Sequence, residues 1–261
     1  MFQTTVIASG SKGNCVLVQT ASTAILLDAG VSMYRILETM VALHIDPAKL
    51  AAIVVSHEHG DHIRSVGAVS RKLKIPIMIN RPTLSFCGDR LGNVGERLVI
   101  FHTGSSFTIG DITVEAFSAS HDAAEGCNFC TYPTDEPSRK LGIATDLGYP
   151  SNLSVVKLSG ASTLILESNH DETMLMNGPY DWHLKQRISS NRGHLSNNQA
   201  VGLLSTVYHA GLKNLILAHL SEVNNDPALA EKIMRDYLES IRSDIRLMVA
   251  TQNSHTPLID V

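Results

Sequence analysis

Hydrophobic residues fall in short runs of four to eight, most bounded by Gly, Ser, Asn, Asp or Pro. Residues 4–9 (TTVIAS), 15–20 (CVLVQT) and 23–30 (TAILLDAG) predict three early strands, separated by a Gly/Ser turn and a short polar turn. Residues 50–59 (LAAIVVSHEH) predict a buried strand ending in histidines, 63–74 carry helical spacing, and 75–80 (IPIMIN) predict another strand. Residues 97–103 and 106–119 alternate as strands, with Gly110-Asp111 as a hairpin turn, and 126–133 with 139–148 predict a second hairpin. Further on, helices and strands alternate more regularly. Residues 150–160 predict a helix, 162–168 a strand, and 173–190 a broken helix. Residues 195–211 predict a helix capped by Ser196, with Gln199 in the capping-box position and Gly211 at its far end. A strand over 214–221, a helix over 227–241 and a final strand over 245–252 complete the pattern, which suggests two packed sheets covered by helices.

The chain has 261 residues, 44% hydrophobic and 18% charged, ample for a substantial core in one or two globular domains. A net charge of −4 gives no overall basic surface of the kind that grips nucleic acid by charge alone. Bound divalent cations would alter that balance locally, so charge does not exclude a nucleic-acid partner. The start, MFQTTVIASGSKGN, lacks the basic and apolar segments of a signal peptide, and no apolar stretch approaches the ~20 residues needed to span a bilayer. Four scattered cysteines, Cys15, Cys87, Cys127 and Cys130, do not make a disulfide scaffold, so a cytoplasmic location is expected. Cys127 and Cys130 form a C-x-x-C, but three residues apart on a strand they face opposite sides, and no second pair completes a zinc site.

The most informative stretch is His57-Glu58-His59-Gly60-Asp61-His62. His57 and His59 are two apart at the end of an extended run, so their rings share a side; Asp61 and His62 then open a helix. Three imidazoles and a carboxylate suit zinc, manganese or iron. A random H-x-H-x-D-H in a chain with 12 histidines is expected on the order of one time in a thousand. His121, Asp146 and His219 each stand where a predicted strand stops, as His57 and His59 do, and are candidate ligands for the same reason.

In order, Asp28, the cluster from His57 to His62, His121, Asp146 and His219 resemble the metallo-β-lactamase superfamily. That resemblance implies an α/β fold, a four-layer αββα sandwich of two mixed sheets flanked by helices. It implies two divalent ions per chain, zinc or manganese: His57, His59 and His121 would hold one, Asp61, His62 and His219 the other, and Asp146 would bridge them. Asp28 would orient the histidine loop. SGSKGNCVLV near the start, ESNHD at 167–171, GPY at 178–180, GHLSN at 193–197 and LAHLS at 217–221 narrow the likeness to the YycJ/WalJ family. This implies a 5′-to-3′ DNA exonuclease, with DNA, or RNA, as partner. Asp146 and His219 are too close in sequence for a large inserted lid, so one domain over 1–261 is expected.

A dinuclear centre can generate a metal-bound hydroxide oriented by Asp61, which predicts hydrolysis without choosing the bond. His194, in a Gly-flanked loop before a capped helix, is a candidate to bind a phosphate oxygen or protonate the leaving oxygen. Ser9, Ser11, Asn14 and Arg192 are candidate substrate contacts, with Arg187 beside them; the first three are explained equally by a Gly-rich turn. His170 and Glu167 follow a strand closely enough for a site role, and Tyr180 with Trp182 could stack on a base or pack in the core. The alternative function is a small-molecule hydrolase: a lactonase, a thioesterase or a cyclic phosphodiesterase.

Overall fold

The β-branched runs form strands because almost every residue in them is buried on one sheet face or the other. In the computed structural model, which describes residues 1–261, the first half holds β1 (Phe2–Ala8), β2 (Cys15–Thr20), β3 (Ala24–Leu27), α1 (Met33–Ala42), β4 (Leu50–Val54), α2 (Gly60–Ile63), α3 (Val66–Leu73), β5 (Ile77–Ile79), α4 (Arg81–Cys87) and β6 (Leu98–Ile100). The hairpin β7 (Ser106–Ile109) and β8 (Ile112–Ser118), then β9 (Cys127–Pro133) and β10 (Leu141–Ala144), begin the second sheet. There follow α5 (Asn152–Leu158), β11 (Thr163–Glu167), α6 (Glu172–Asn177), α7 (Trp182–Ile188), α8 (Asn197–Val207), β12 (Asn214–Ala218), α9 (Pro227–Ser240), β13 (Arg246–Val249) and β14 (Ile259–Asp260).

Each sheet has seven strands and is mixed. The first runs β14-β1-β2-β3-β4-β5-β6, antiparallel as far as β3 and parallel from β3 to β6. The second runs β13-β12-β11-β10-β9-β8-β7, parallel from β13 to β10 and antiparallel beyond. Alternation along the strands sorts side chains into three cores. Val16, Val18 and Phe129 fill the space between the sheets; Cys15 and Leu17 turn outward to meet Ile36 and Met40 of α1 and Val69 of α3. On the far side, Leu164 and Leu215 pack beneath Leu203 and Leu204 of α8 and Met234 of α9. The layers are therefore helix, sheet, sheet, helix. Cys127 faces the inter-sheet core and Cys130 the outer one, so the C-x-x-C thiols diverge and both are buried. No helix is long and apolar enough to cross a membrane.

Several boundaries differ from the sequence pattern. Helix α1, which the strand pattern does not include, buries Ile36, Thr39 and Met40 and leaves Tyr34 and Val41 exposed. Helix α4 buries only Thr83 and Cys87. Helix α8 has the expected capping box but ends at Val207, because Tyr208 turns to extended backbone; Gly211 lies in the following turn. After β13 the chain returns to add the short β14 beside β1, a pairing between chain ends that no local pattern announces.

Candidate metal centre

Strands of both sheets deliver the candidate ligands from their C-terminal ends, β4, β10 and β12 from the parallel parts and β8 from the antiparallel part. Beyond β4 come His57 and His59, then α2 with Asp61 and His62; His121 follows β8, Asp146 follows β10 and His219 follows β12. Asp28, Asp146 and His219 all have positive φ (61°, 53° and 56°), a conformation that non-glycine residues adopt at a cost of about 1 kcal/mol or more. Three of the six such residues in the chain thus lie at this one place.

His57 Nε2 is 3.0 Å from His59 Nδ1, which is 3.3 Å from His121 Nε2. His62 Nε2 is 3.3 Å from Asp61 Oδ2 and 3.2 Å from Asp146 Oδ2. His219 Nε2 lies 3.7 Å from Asp61 Oδ2 and 3.6 Å from Asp146 Oδ1. Two groups of three result, His57 with His59 and His121, and Asp61 with His62 and His219, and Asp146 is between them.

The far nitrogens fix which edge each ring presents. Ser56 Oγ donates to Asp28 Oδ2 (2.6 Å) and lies 2.9 Å from His57 Nδ1. His62 Nδ1 is 2.7 Å from Asp28 Oδ2, and His121 Nδ1 is 3.1 Å from the Gly193 carbonyl. His219 Nδ1 is 2.8 Å from Glu167 Oε1. With these outer nitrogens occupied, each Nε2 is turned inward as the atom free to ligate once it carries no proton. His219 Nε2 and Asp146 Oδ2 are buried with no hydrogen-bond partner. Unpartnered polar atoms converging in a buried space are what a cation relieves, and the nitrogen and carboxylate set fits divalent metal binding.

Electrostatics follow the same geometry. Burial, reinforced by His62, pushes His57 well below the usual imidazole range, so it is neutral and ready to ligate. Burial also lowers His121. At His62 burial is outweighed by Asp146, Asp61 and Asp28, which raise the ring well above its ordinary value. At His219 burial is outweighed chiefly by Asp146, with help from Asp61 and Glu167, and the ring rises to about 10. Asp61 and Asp146 are both held below the carboxylate range by the surrounding imidazoles despite burial.

Around the cluster is an open cleft of about 180 Å³. Ser11, His194, Asn169, Ser221, Tyr180 and Arg187 line it together with the candidate ligands. The other substrate-contact candidates stand elsewhere. Ser9 and Asn14 are buried behind the wall: Ser9 Oγ donates to Asn14 Oδ1, and Asn14 Nδ2 donates to Asp61 Oδ2 at 3.0 Å. Arg192 turns away from the cleft, its Nε and Nη2 both 3.3 Å from the His121 carbonyl. Arg187 occupies the cleft wall instead. His170 is buried outside the cleft, its Nδ1 without a partner, and burial lowers its basicity.

Glu167 has a larger place than its sequence position indicates. Its fully buried carboxylate accepts from the backbone nitrogens of Asp146, Leu147 and Leu195 and lies within 2.9 Å of His194 Nδ1 and 2.8 Å of His219 Nδ1. Burial would raise this carboxyl, yet His194 and His219 draw it down to about 2. A glutamate as the last residue of a buried apolar strand was the available signal.

Comparison with known proteins gives the family of the chain. The model of the beta-lactamase superfamily domain matches residues 23–220. Exodeoxyribonuclease YycJ of Bacillus anthracis is 37% identical over 235 residues, covering 90% of this chain and 88% of that one. Exodeoxyribonuclease WalJ of Streptococcus pneumoniae is 34% identical, covering 100% and 98%. The metallo-beta-lactamase fold protein YhfI of Bacillus subtilis superposes with a TM-score of 0.72 at 17% identity, over 98% and 99% of the two chains, which shows the fold. The chain is thus a hydrolase of the metallo-β-lactamase superfamily, and within it belongs to the family of YycJ and WalJ.

Proposed function

We propose that the protein is a metal-dependent phosphodiester hydrolase acting on DNA as a 5′-to-3′ exonuclease. The observation that carries this reading is the cleft: it is open, polar and, at about 180 Å³, smaller than the 300–1,000 Å³ of pockets that enclose small molecules. An open polar cleft suits a phosphodiester, whose phosphate can enter while its nucleosides lie on the rim. The full-length similarity to two exodeoxyribonucleases supports DNA as the polymer.

Two divalent ions, zinc or manganese, fit the two triads joined by Asp146, and when bound they would supply a nucleophilic water near neutral pH and charge neutralisation on the phosphate. Asp61, held by Asn14, orients the attacking water toward the cleft. His194 has its Nδ1 on Glu167, which leaves Nε2 to meet a phosphate oxygen or the leaving oxygen across the cleft. Ser11 lines the cleft from the loop before β2.

The test is to load the protein with manganese, and separately with zinc, and to offer end-labelled DNA and RNA. Metal-dependent release of mononucleotides from the 5′ end, lost in Asp61→Ala and slowed at least ~100-fold in His194→Ala, is the expected result. Intact nucleic acids alongside cleavage of bis-p-nitrophenyl phosphate would overturn the polymer substrate and leave the phosphodiesterase centre standing.

A further inference from the structure

Helix α7 is unusual in having no buried residue, so it contributes little to any core. It carries the chain's one tryptophan, Trp182, 60% exposed, and the segment it belongs to brings Tyr180 and Arg187 into the cleft wall. From 181 to 192 the segment holds Lys185, Arg187 and Arg192 against one carboxylate, Asp181, on a chain whose net charge is −4. Arg187 is not idle: its Nε is ion-paired with Asp122 Oδ2, while Asp122 Oδ1 is 3.3 Å from His121 Nε2. The guanidinium therefore stands one carboxylate's width outward from the ligand cluster, along the cleft.

We propose that Arg187 and Tyr180 hold a single DNA strand at the cleft, Arg187 taking the phosphate next to the scissile one and Tyr180 packing on the neighbouring nucleoside. This rests on the exonuclease reading above and adds the residues that grip the polymer. With the scissile phosphate at the cluster, the next phosphate along an extended strand reaches outward to the place now filled by the Asp122 carboxylate. It exchanges for that carboxylate on Arg187, one anion for another, through the planar fork that suits phosphate. The cleft is open, so the base and sugar can lie at its mouth, where Tyr180 offers the aromatic face. Because the contacts are to a neighbouring nucleotide, they matter more for a polymer than for a minimal diester.

The experiment compares metal-loaded wild type, Arg187→Gln and Tyr180→Ala on a single-stranded oligonucleotide and on bis-p-nitrophenyl phosphate. Binding is followed in an Asp61→Asn background by the fluorescence of Trp182, the sole tryptophan and two residues from Tyr180. Both variants are expected to lose about tenfold in affinity and in kcat/KM for the oligonucleotide. Arg187→Gln should also reduce the slope of log Kd against log salt by about 0.7, and Tyr180→Ala should leave the slope unchanged. Hydrolysis of the small diester should fall less than that of the oligonucleotide in both. Wild-type affinity and salt slope in the variants, with the wild type digesting DNA normally, would overturn the proposal alone. A wild type that cleaves the diester but neither binds nor cleaves any DNA would overturn the exonuclease reading and this inference with it. Equal losses on both substrates would place the two residues in the reaction itself and overturn the assignment to the neighbouring nucleotide.

Discussion

At the scale of single residues, Glu167 and His219 decide how the site responds to change. Two imidazoles and three backbone N–H groups converge on the Glu167 carboxylate. An amide offers one acceptor oxygen and turns a donor toward the others. Glu167→Gln is expected to destabilise the fold by about 2 kcal/mol and to lower metal affinity or kcat/KM by about 10–100-fold. Denaturant unfolding together with metal titration checks this; a variant that keeps both would show the hub to be dispensable. His219 makes a separate expectation. Its metal-free pKa of about 10 leaves the ring protonated at pH 7, so a cation must displace a proton to bind Nε2. Affinity should therefore rise with pH from 7 towards 10, and calorimetry in buffers of different ionisation enthalpy should find at least one proton released per chain. The sign for stability runs the same way: a raised pKa stabilises the metal-free fold fully below about 6.5, and that contribution fades as pH climbs through about 10. Metal uptake without proton release would contradict the assignment of His219.

At the scale of elements, the ligand loop depends on how closely the segment after β3 approaches α2. Ala29 N donates to the His62 carbonyl, Gly30 N to the Asn14 carbonyl, and Asn14 N to the Asp61 carbonyl, each at 2.8–2.9 Å. A Cβ on Gly30 would lie 1.5 Å from the Asp61 carbonyl oxygen, so glycine is needed there for close approach. Gly30→Ala is expected to cost about 3 kcal/mol and to displace Asp61 and His62, abolishing metal-dependent activity. Gly60, inside the histidine motif itself, meets nothing within 4 Å at the same test. Gly60→Ala should retain metal and fall within about 1 kcal/mol of wild type. Thermal unfolding and metal content measured on the pair would expose an error in either direction. The motif glycine is the conspicuous one in the sequence, yet the packing constraint belongs to the other.

At the scale of the whole molecule, the centre is shared between the two sheets. His57, His59, Asp61 and His62 leave the first sheet, and His121, Asp146 and His219 leave the second. Cations bound there cross-link the halves of the sandwich in the folded state only, so they stabilise it by mass action. Metal at a thousandfold excess over its dissociation constant contributes about 4 kcal/mol, and a chain of this size gains roughly 2–4 °C per kcal/mol. Chelation is expected to lower Tm by roughly 8–16 °C, with refilling by zinc or manganese restoring it. An unchanged Tm after verified metal removal would show that the sheets hold the site without help.

The sequence by itself determined the strands and most helices, because buried β-branched runs, capping residues and Gly-Asp turns act over a few positions. It also placed His57, His59, His121, Asp146 and His219 at strand ends and Asp61 and His62 at the opening of the next helix, which is local information, and the structure gathers all seven within one cluster. The missing helix α4 has too narrow a buried face to mark itself, and β14 exists only because β1 offers an open edge. What tertiary structure alone decided is which polar side chains reach the cleft. Ser9, Asn14 and Arg192 carry suitable chemistry but turn behind the wall, while Arg187, Asn169 and Ser221 face in. Glu167 became the anchor of His194 and His219 through contacts 27 and 52 residues apart. Residue type and spacing govern what a side chain can do, but its direction is set by the packing of loops from both sheets, and that packing is written nowhere in any one segment.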